Sequence, residues 1–113
     1  MKKLYINCPN TGEEKPETGN NWIENYHILR YIKDKQSSRT CIHCGKQEVE
    51  GCHVHPFMKN EDIYIVPMCH KCNTSEICVI IDSDWAELLS EVSKAYTSTP
   101  NLDKIARRIL NNN

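Results

Sequence analysis

Two Cys-x-x-Cys pairs constrain this chain more than any other feature of its sequence. Cys41 pairs with Cys44, Cys69 pairs with Cys72, and 24 residues separate the two pairs. Two intervening residues let both sulfurs of a pair face one ion, and Gly45 supplies the backbone freedom that the first turn needs. Four thiolates complete a tetrahedral shell with no open position. The spacing therefore predicts one structural zinc ion bound by these four cysteines.

Length and composition agree with a metal as part of the structure. A chain of 113 residues with a 39% hydrophobic fraction is expected to form one domain, 1–113, with a modest core. Small domains often need additional stabilisation by a disulfide or a bound metal ion. Seven cysteines are an odd number, which does not suit a complete set of disulfides. No apolar run approaches the roughly 20 residues of a membrane span, and residues 1–20 lack a signal-peptide core. We expect a reducing, cytoplasmic location and no membrane association. In such a location the Cys-x-x-Cys pairs are expected to bind metal rather than to form disulfides or redox-active pairs.

The N-terminal part, residues 1–40, predicts a strand and a helix. Residues 3–6 favour a short strand, and the turn-rich stretch that follows contains Pro and Gly. Residues 22–35 predict a helix, because apolar side chains recur at spacings of four and three. The expected core-facing positions are Trp22, Tyr26, Leu29 and Ile32.

The middle part, residues 41–81, predicts a hairpin between the two cysteine pairs. Val49–Val54 and Ile63–Val66 are two strand-like runs, the second ended by Pro67, and we expect them to pair. The hairpin would return the chain to the metal, and a short helix should open near Cys69–Ser75. A third apolar, β-branched run covers Ile77–Ile81.

The C-terminal part, residues 82–113, predicts two helices. Residues 84–96 follow a capping Asp82 or Ser83 and carry apolar side chains at helical spacing. Residues 101–110 follow Thr99 and Pro100, a favourable helix start. The fold class is therefore α+β, with a zinc-stabilised core of a β-hairpin plus a helix, and with flanking N- and C-terminal helices.

The other cysteines and the histidines of the pairs have more ordinary explanations. His43 and His70 lie inside the two turns, where side chains face away from the metal more often than they bind it. Cys8 and Cys78 lie in apolar surroundings and are predicted to be buried thiols.

The middle part resembles the HNH family, which has a ββα-metal fold of the treble-clef type. Many members of that family are nucleases that carry a structural zinc ion. The resemblance covers residues 41 to about 76, roughly a third of the chain, and the flanking parts do not share it. It is carried by three runs: Cys41-Ile42-His43-Cys44-Gly45, Gly51-Cys52-His53-Val54 and Val66-Pro67-Met68-Cys69-His70-Lys71-Cys72-Asn73.

The resemblance implies positions for a catalytic site. In the family, a divalent cation such as Mg²⁺ clamps the scissile phosphate, and a His at the end of the first strand activates water. His53 matches that general base, and Asn73 matches a ligand of the cation. Cys52 stands where the family commonly has Asp or Glu, and Tyr64 stands near the position of a helpful Asn. A hard cation prefers oxygen ligands, so the implied site lacks a carboxylate ligand that the family commonly provides.

A softer metal site is a second interpretation of the same segment. His53 and His55 are two residues apart on a predicted strand, so both side chains point to one face. With Cys52 they could bind a second zinc ion, and the competing interpretation is an ordinary pair of strand histidines.

Charge distribution argues against a simple nucleic-acid binder. The net charge is −1, and the middle part carries three Lys/Arg against five Asp/Glu. A zinc ion with four thiolates adds further negative charge, whereas free-standing nucleic-acid binders usually show a basic excess. Two basic clusters could still contact phosphate, and the alternative for both is a solvated polar face. The candidate contacts are Arg30, Lys33, Lys104, Arg107 and Arg108, with Lys35 and Arg39 beside the first two.

Three functions follow from these observations. The first is a structural-zinc module of HNH type that binds nucleic acid (DNA or RNA) or a protein partner without catalysis. The second is a metal-dependent endonuclease with His53 as general base and Asn73 as a ligand of the second metal. The third is a small regulatory or inhibitor protein of a mobile element, which would act by binding another protein.

Overall fold

The computed structural model describes residues 1–8, 15–19, 21–57, 62–75 and 78–95. Their centre is a five-stranded sheet in which every neighbouring pair of strands is antiparallel, in the order β4-β1-β2-β3-β5. The strands are β1 (Lys2–Asn7), β2 (Val49–Pro56), β3 (Tyr64–Cys69), β4 (Cys78–Asp82) and β5 (Glu87–Leu88). The helices are α1 (Trp22–Asp34), α2 (His70–Asn73) and α3 (Leu89–Ser93), with a 3-10 turn at Ser83–Trp85. The α+β class is confirmed.

The predicted hairpin between the cysteine pairs is present. β2 and β3 pair with Cys52 opposite Val66 and His53 opposite Ile65, and α2 follows directly where a short helix was expected. The prediction that Pro67 ends the second strand is wrong, because β3 continues to Cys69. Pro67 lacks an N–H group, but its carbonyl accepts a hydrogen bond from the Ile42 amide at 2.9 Å.

The sheet separates two hydrophobic clusters because successive side chains of a strand point to opposite faces. We call the face of Cys52, Val54 and Val66 the metal face, since its cluster includes three of the four paired cysteines. We call the face of His53 and Ile65 the helix face, since α1 and α3 pack there.

Helix α1 forms where the sequence predicted it, within one residue. The Asn21 side chain caps its first turn by accepting from the Glu24 amide at 2.9 Å, and Lys35 ends it in the left-handed conformation. The predicted inward face is right for Trp22 and wrong for Ile32, which is 42% exposed. Gly51 allows α1 to lie close to the sheet, because a Cβ there would meet the Cβ of Trp22 at 2.5 Å.

The predicted helix over residues 84–96 is wrong in its first half. A 3-10 turn and β5 precede α3, which covers only Leu89–Ser93. Contacts from α1 and β3 hold this segment in its non-helical conformation: the Tyr26 hydroxyl donates to the carbonyl of Trp85 in the 3-10 turn at 2.7 Å, and Glu87 of β5 pairs with Ile65 of β3. These tertiary contacts override the helical spacing of apolar residues.

The third apolar run forms β4, which pairs with β1 at the edge of the sheet. Val79 and Ile81 are buried on the metal face, and Ile80 between them is 69% exposed. The predicted helix over 101–110 lies outside the described residues. Among the described helices, none has the length and hydropathy required to cross a membrane.

Candidate metal centre

The four paired cysteines converge on one point of the metal face. Their sulfur atoms all lie within 4.8 Å of one another, and the sulfurs of Cys44 and Cys69 are 3.6 Å apart. A tetrahedral zinc site with Zn–S bonds of about 2.3 Å places its sulfurs about 3.8 Å apart. Four cysteines at this separation can coordinate a metal ion, and the donor set suits zinc.

The first pair is held by a tight turn. The Cys41 amide donates to the Lys46 carbonyl at 2.7 Å, and the Gly45 amide donates to the Cys41 carbonyl at 2.9 Å. Gly45 has φ +80°, a conformation that favours glycine, as expected from the sequence. Thr40 and Gln47 form a bridge at the base of the turn. The turn thus presents Cys41 and Cys44 together.

The second pair is placed by the junction of β3 and α2. Cys69 ends the strand in an extended conformation, and Cys72 lies in the single turn of helix that follows. The hydrogen bond from Ile42 to Pro67 ties the first turn to β3. Each pair therefore reaches the cluster from a backbone segment that hydrogen bonds already fix.

Backbone amides stabilise thiolates in the cluster. Burial raises the pKa of the Cys41 thiol, but backbone hydrogen bonds from Cys44, Cys69 and His43 outweigh burial and lower it to about 6. A backbone hydrogen bond from Cys72 lowers the pKa of Cys69. Burial, together with the neighbouring sulfurs, raises the pKa of Cys72 to about 12. A divalent cation would favour the thiolate at all four positions, because the thiolate is the ligand form.

Asn7 joins the hairpin to α2 on the metal face. Its side-chain nitrogen donates to the carbonyls of Cys72 at 3.2 Å, of Asn73 at 2.9 Å, and of Ser75. Its side-chain oxygen accepts from the Cys52 thiol at 3.2 Å, and burial raises the pKa of Cys52, which keeps it a donor. The buried Asn7 amide thus fills the space between Cys52 and Asn73. Sequence reasoning missed Asn7, because no local pattern marks a side chain that acts on elements more than 40 residues away.

His53 lies on the other side of the sheet. Its side chain is 2% exposed on the helix face, and the Trp22 ring packs edge-on against it with centroids 5.0 Å apart. The Asn73 side chain instead donates to Glu50, whose position three residues from His53 puts it on the opposite face of β2. The structure therefore does not bring His53 and Asn73 together. His53 as general base stays a prediction.

The softer metal site, raised as a second interpretation of Cys52, His53 and His55, is not assembled either. Cys52 faces Asn7 on the metal face, whereas His53 and His55 point to the other face. His43 and His70 are exposed, as predicted. The prediction of a buried thiol is wrong for Cys78, which is exposed because it lies at an outward position of edge strand β4.

Arg30 is a core residue, which corrects its assignment to a phosphate-binding surface. It is 2% exposed, and its guanidinium binds Glu87 at 2.8 Å, Asp34 at 2.8 Å and the Asp84 carbonyl at 2.7 Å. It also lies over the Trp85 ring at 4.5 Å. These partners satisfy the charge inside the protein.

Lys33 is half exposed and shares the same carboxylate, donating to Glu87 at 2.7 Å. The second basic cluster stays a prediction, because its residues Lys104, Arg107 and Arg108 lie outside the described part of the chain.

Comparisons of the chain with protein-family models, curated proteins and solved structures found no match.

Proposed function

We propose that this chain is a structural-zinc module that acts by binding a macromolecular partner and does not itself catalyse a reaction. The convergence of four cysteine sulfurs within 4.8 Å carries this proposal. Four thiolates fill the tetrahedral shell of zinc, which leaves no position for water or substrate. The ion would then fix the first turn against β3 and α2 and stabilise the surface they form.

A treble-clef arrangement fits the order of elements around the cluster. A cysteine turn at residues 41–45 is followed by the β2–β3 hairpin, and α2 supplies the last ligand, Cys72. This order is the one that the HNH resemblance implies. The additional strands β1, β4 and β5 extend the hairpin into a wider sheet.

The surroundings of the implied catalytic residues support a module without catalysis. Hydrolysis of a phosphodiester needs a cation beside the phosphate and a base within reach of the attacking water. The Asn7 amide fills the space beside Cys52, and His53 is buried against Trp22 on the opposite face. Both features oppose the assembly of a cation and a base around one phosphate.

Charge favours a protein over a nucleic acid as the partner. The chain has a net charge of −1, and four thiolates with one Zn²⁺ would add negative charge to the metal face. Arg30 is buried and Lys33 is paired, so neither offers a free cation to phosphate. Nucleic-acid affinity depends mainly on such cations.

The test is incubation of the zinc-loaded protein with plasmid and single-stranded DNA in Mg²⁺, Mn²⁺ or Ni²⁺. We expect no cleavage and weak DNA binding. Cleavage that His53→Ala abolishes while the zinc content is unchanged would overturn the proposal and identify an endonuclease. Salt-dependent DNA binding that is lost when Lys104, Arg107 and Arg108 are changed to Ala would identify nucleic acid as the partner instead of protein.

A further inference from the structure

We propose a second cation site, beside the four-cysteine cluster, at which Glu50, His70 and Asn73 bind a first-row divalent cation. The three side chains meet where β2 passes α2. The Glu50 carboxylate lies 3.0 Å from Nδ1 of His70 and 2.6 Å from Nδ2 of Asn73. The ligand set shares only Asn73 with the one implied by the HNH resemblance, in which Glu50 and His70 have no role.

The spacing of the donor atoms suits one coordination sphere. Adjacent ligands of an octahedral ion at about 2.1 Å lie about 3.0 Å apart, which is the separation of Glu50 and His70. Rotation of the Asn73 amide exchanges Nδ2 for Oδ1 at the same place and supplies an oxygen ligand. An imidazole, a carboxylate and an amide oxygen together suit Mn²⁺, Ni²⁺ or Zn²⁺.

The local fold holds these donors on one surface. His70 and Asn73 are three residues apart, so they lie on the same face of α2, and Glu50 reaches them from β2. The side chain of His70 is 79% exposed and that of Glu50 is 40% exposed, so a cation can enter from solvent. Three protein ligands leave up to three positions of an octahedral ion for water or for an anionic group of a partner.

The two sites are coupled by geometry. His70 lies between Cys69 and Cys72, and Asn73 follows Cys72 directly, so metal at the cysteines would fix the backbone that carries both donors. The second site should therefore form only after the first is loaded. This inference goes beyond the proposed function, since a structural-zinc module needs no second ion.

Calorimetric titration of untagged, zinc-loaded protein with Ni²⁺ tests the site. We expect one Ni²⁺ per chain with the zinc retained, and an affinity that falls at least tenfold in Glu50→Gln and in His70→Ala. The matched controls are Glu48→Gln and His43→Ala, which remove an exposed acid and an exposed histidine near the first pair. We expect their affinities to stay within twofold of the unchanged protein.

Two calorimetric results would overturn the proposal. One is Ni²⁺ affinity that is equal in the Glu50 and His70 variants and in their controls. The other is release of one zinc for each Ni²⁺ taken up, because Ni²⁺ would then occupy the cysteine cluster.

A second measurement needs no variant. Mn²⁺ broadens nearby amide resonances, and we expect the broadening to centre on Gly51, Lys71 and Thr74. Broadening centred on another part of the chain would contradict the site.

Discussion

The two faces of the sheet are stabilised by different physics. On the metal face, the first cysteine turn and α2 are short segments with few apolar side chains. The Ile42–Pro67 hydrogen bond ties the turn to β3, the Asn7 amide holds α2, and four sulfurs lie between the two segments. On the helix face, α1 packs large side chains such as Trp22 and Tyr26 against the sheet, and a buried pair joins Arg30 to Glu87. The first face therefore combines a hydrophobic cluster with a set of metal ligands, whereas the second depends on side-chain packing and the buried ion pair.

This difference concerns the short segments of the metal face, which packing against the hydrophobic cluster does not stabilise by itself. A four-residue helix is not stable in isolation, so α2 needs an external constraint, and two metal ligands at Cys69 and Cys72 would supply it. Helix α1 has 13 residues, a capped start and a buried face, so it needs no metal. Perturbations of the two faces should therefore differ in size and in their dependence on metal.

The largest expected effect is the loss of a metal ligand. Cys72→Ser should abolish metal binding and remove on the order of 10 kcal/mol of apparent stabilisation, because metal-binding energy is folding energy in such sites. Thermal unfolding followed by circular dichroism measures this loss, and a chelator should reproduce it in the unchanged protein. The control is Cys78→Ser, which removes an exposed thiol and should have little effect. Equal melting temperatures for both variants would contradict the comparison.

A smaller effect is expected from the buried ion pair of the helix face. Glu87 is 2% exposed and binds both Arg30 and Lys33. Glu87→Gln should cost about 3 kcal/mol, since it leaves a buried guanidinium with less negative charge. Urea denaturation of the metal-loaded protein measures this cost, and the exposed neighbour Glu91→Gln should change stability by less than about 0.5 kcal/mol. A change in metal content in Glu87→Gln would show that the two faces are not independent.

The helix face should also be sensitive to acid. Burial, together with the charge of Arg39, lowers the pKa of His27 to about 4. The unfolded state therefore takes up a proton below about pH 6.5 that the folded state refuses, and stability falls as pH drops from about 6.5 to about 4. The loss attributable to His27 is at most about 3 kcal/mol. This part of the pH dependence of the free energy of unfolding should disappear in His27→Gln. His43→Gln should keep the pH dependence of the unchanged protein between these pH values.

The smallest effects distinguish two glycines, one on each side of the sheet. Gly51→Ala should cost about 1–3 kcal/mol by overpacking, because the new Cβ would meet Trp22. Gly45→Ala meets no atom within 4 Å and should cost about 1 kcal/mol through its positive φ alone. Chemical denaturation measures the loss of unfolding free energy in both variants. A larger loss in Gly45→Ala than in Gly51→Ala would contradict this prediction.

The sequence was most informative where short-range rules decide the structure. Two Cys-x-x-Cys pairs specify their turns locally, and the capped, periodic stretch at 22–35 specifies α1 almost to the residue. The β2–β3 pairing was also predictable, because the hairpin must return the chain to the first cysteine pair.

The sequence was least informative where distant side chains decide. Glu87 and Trp85 fit the apolar and polar spacing of an α-helix, but they lie in β5 and in the 3-10 turn before it, where they bond to Arg30 and Tyr26 of α1. Arg30 itself reads as a surface cation until its acidic partners are brought to it by the fold. The role of Asn7 could not be predicted for the same reason, since its hydrogen-bond partners belong to the distant elements β2 and α2.

The central claim is that the four cysteines bind one structural zinc ion. The most direct measurement is elemental analysis of untagged protein purified in reducing buffer, together with a folding assay on the same sample. The account predicts one zinc per chain, with none in a variant that has Ser at both Cys41 and Cys44. A folded protein that contains no zinc or other metal would contradict it.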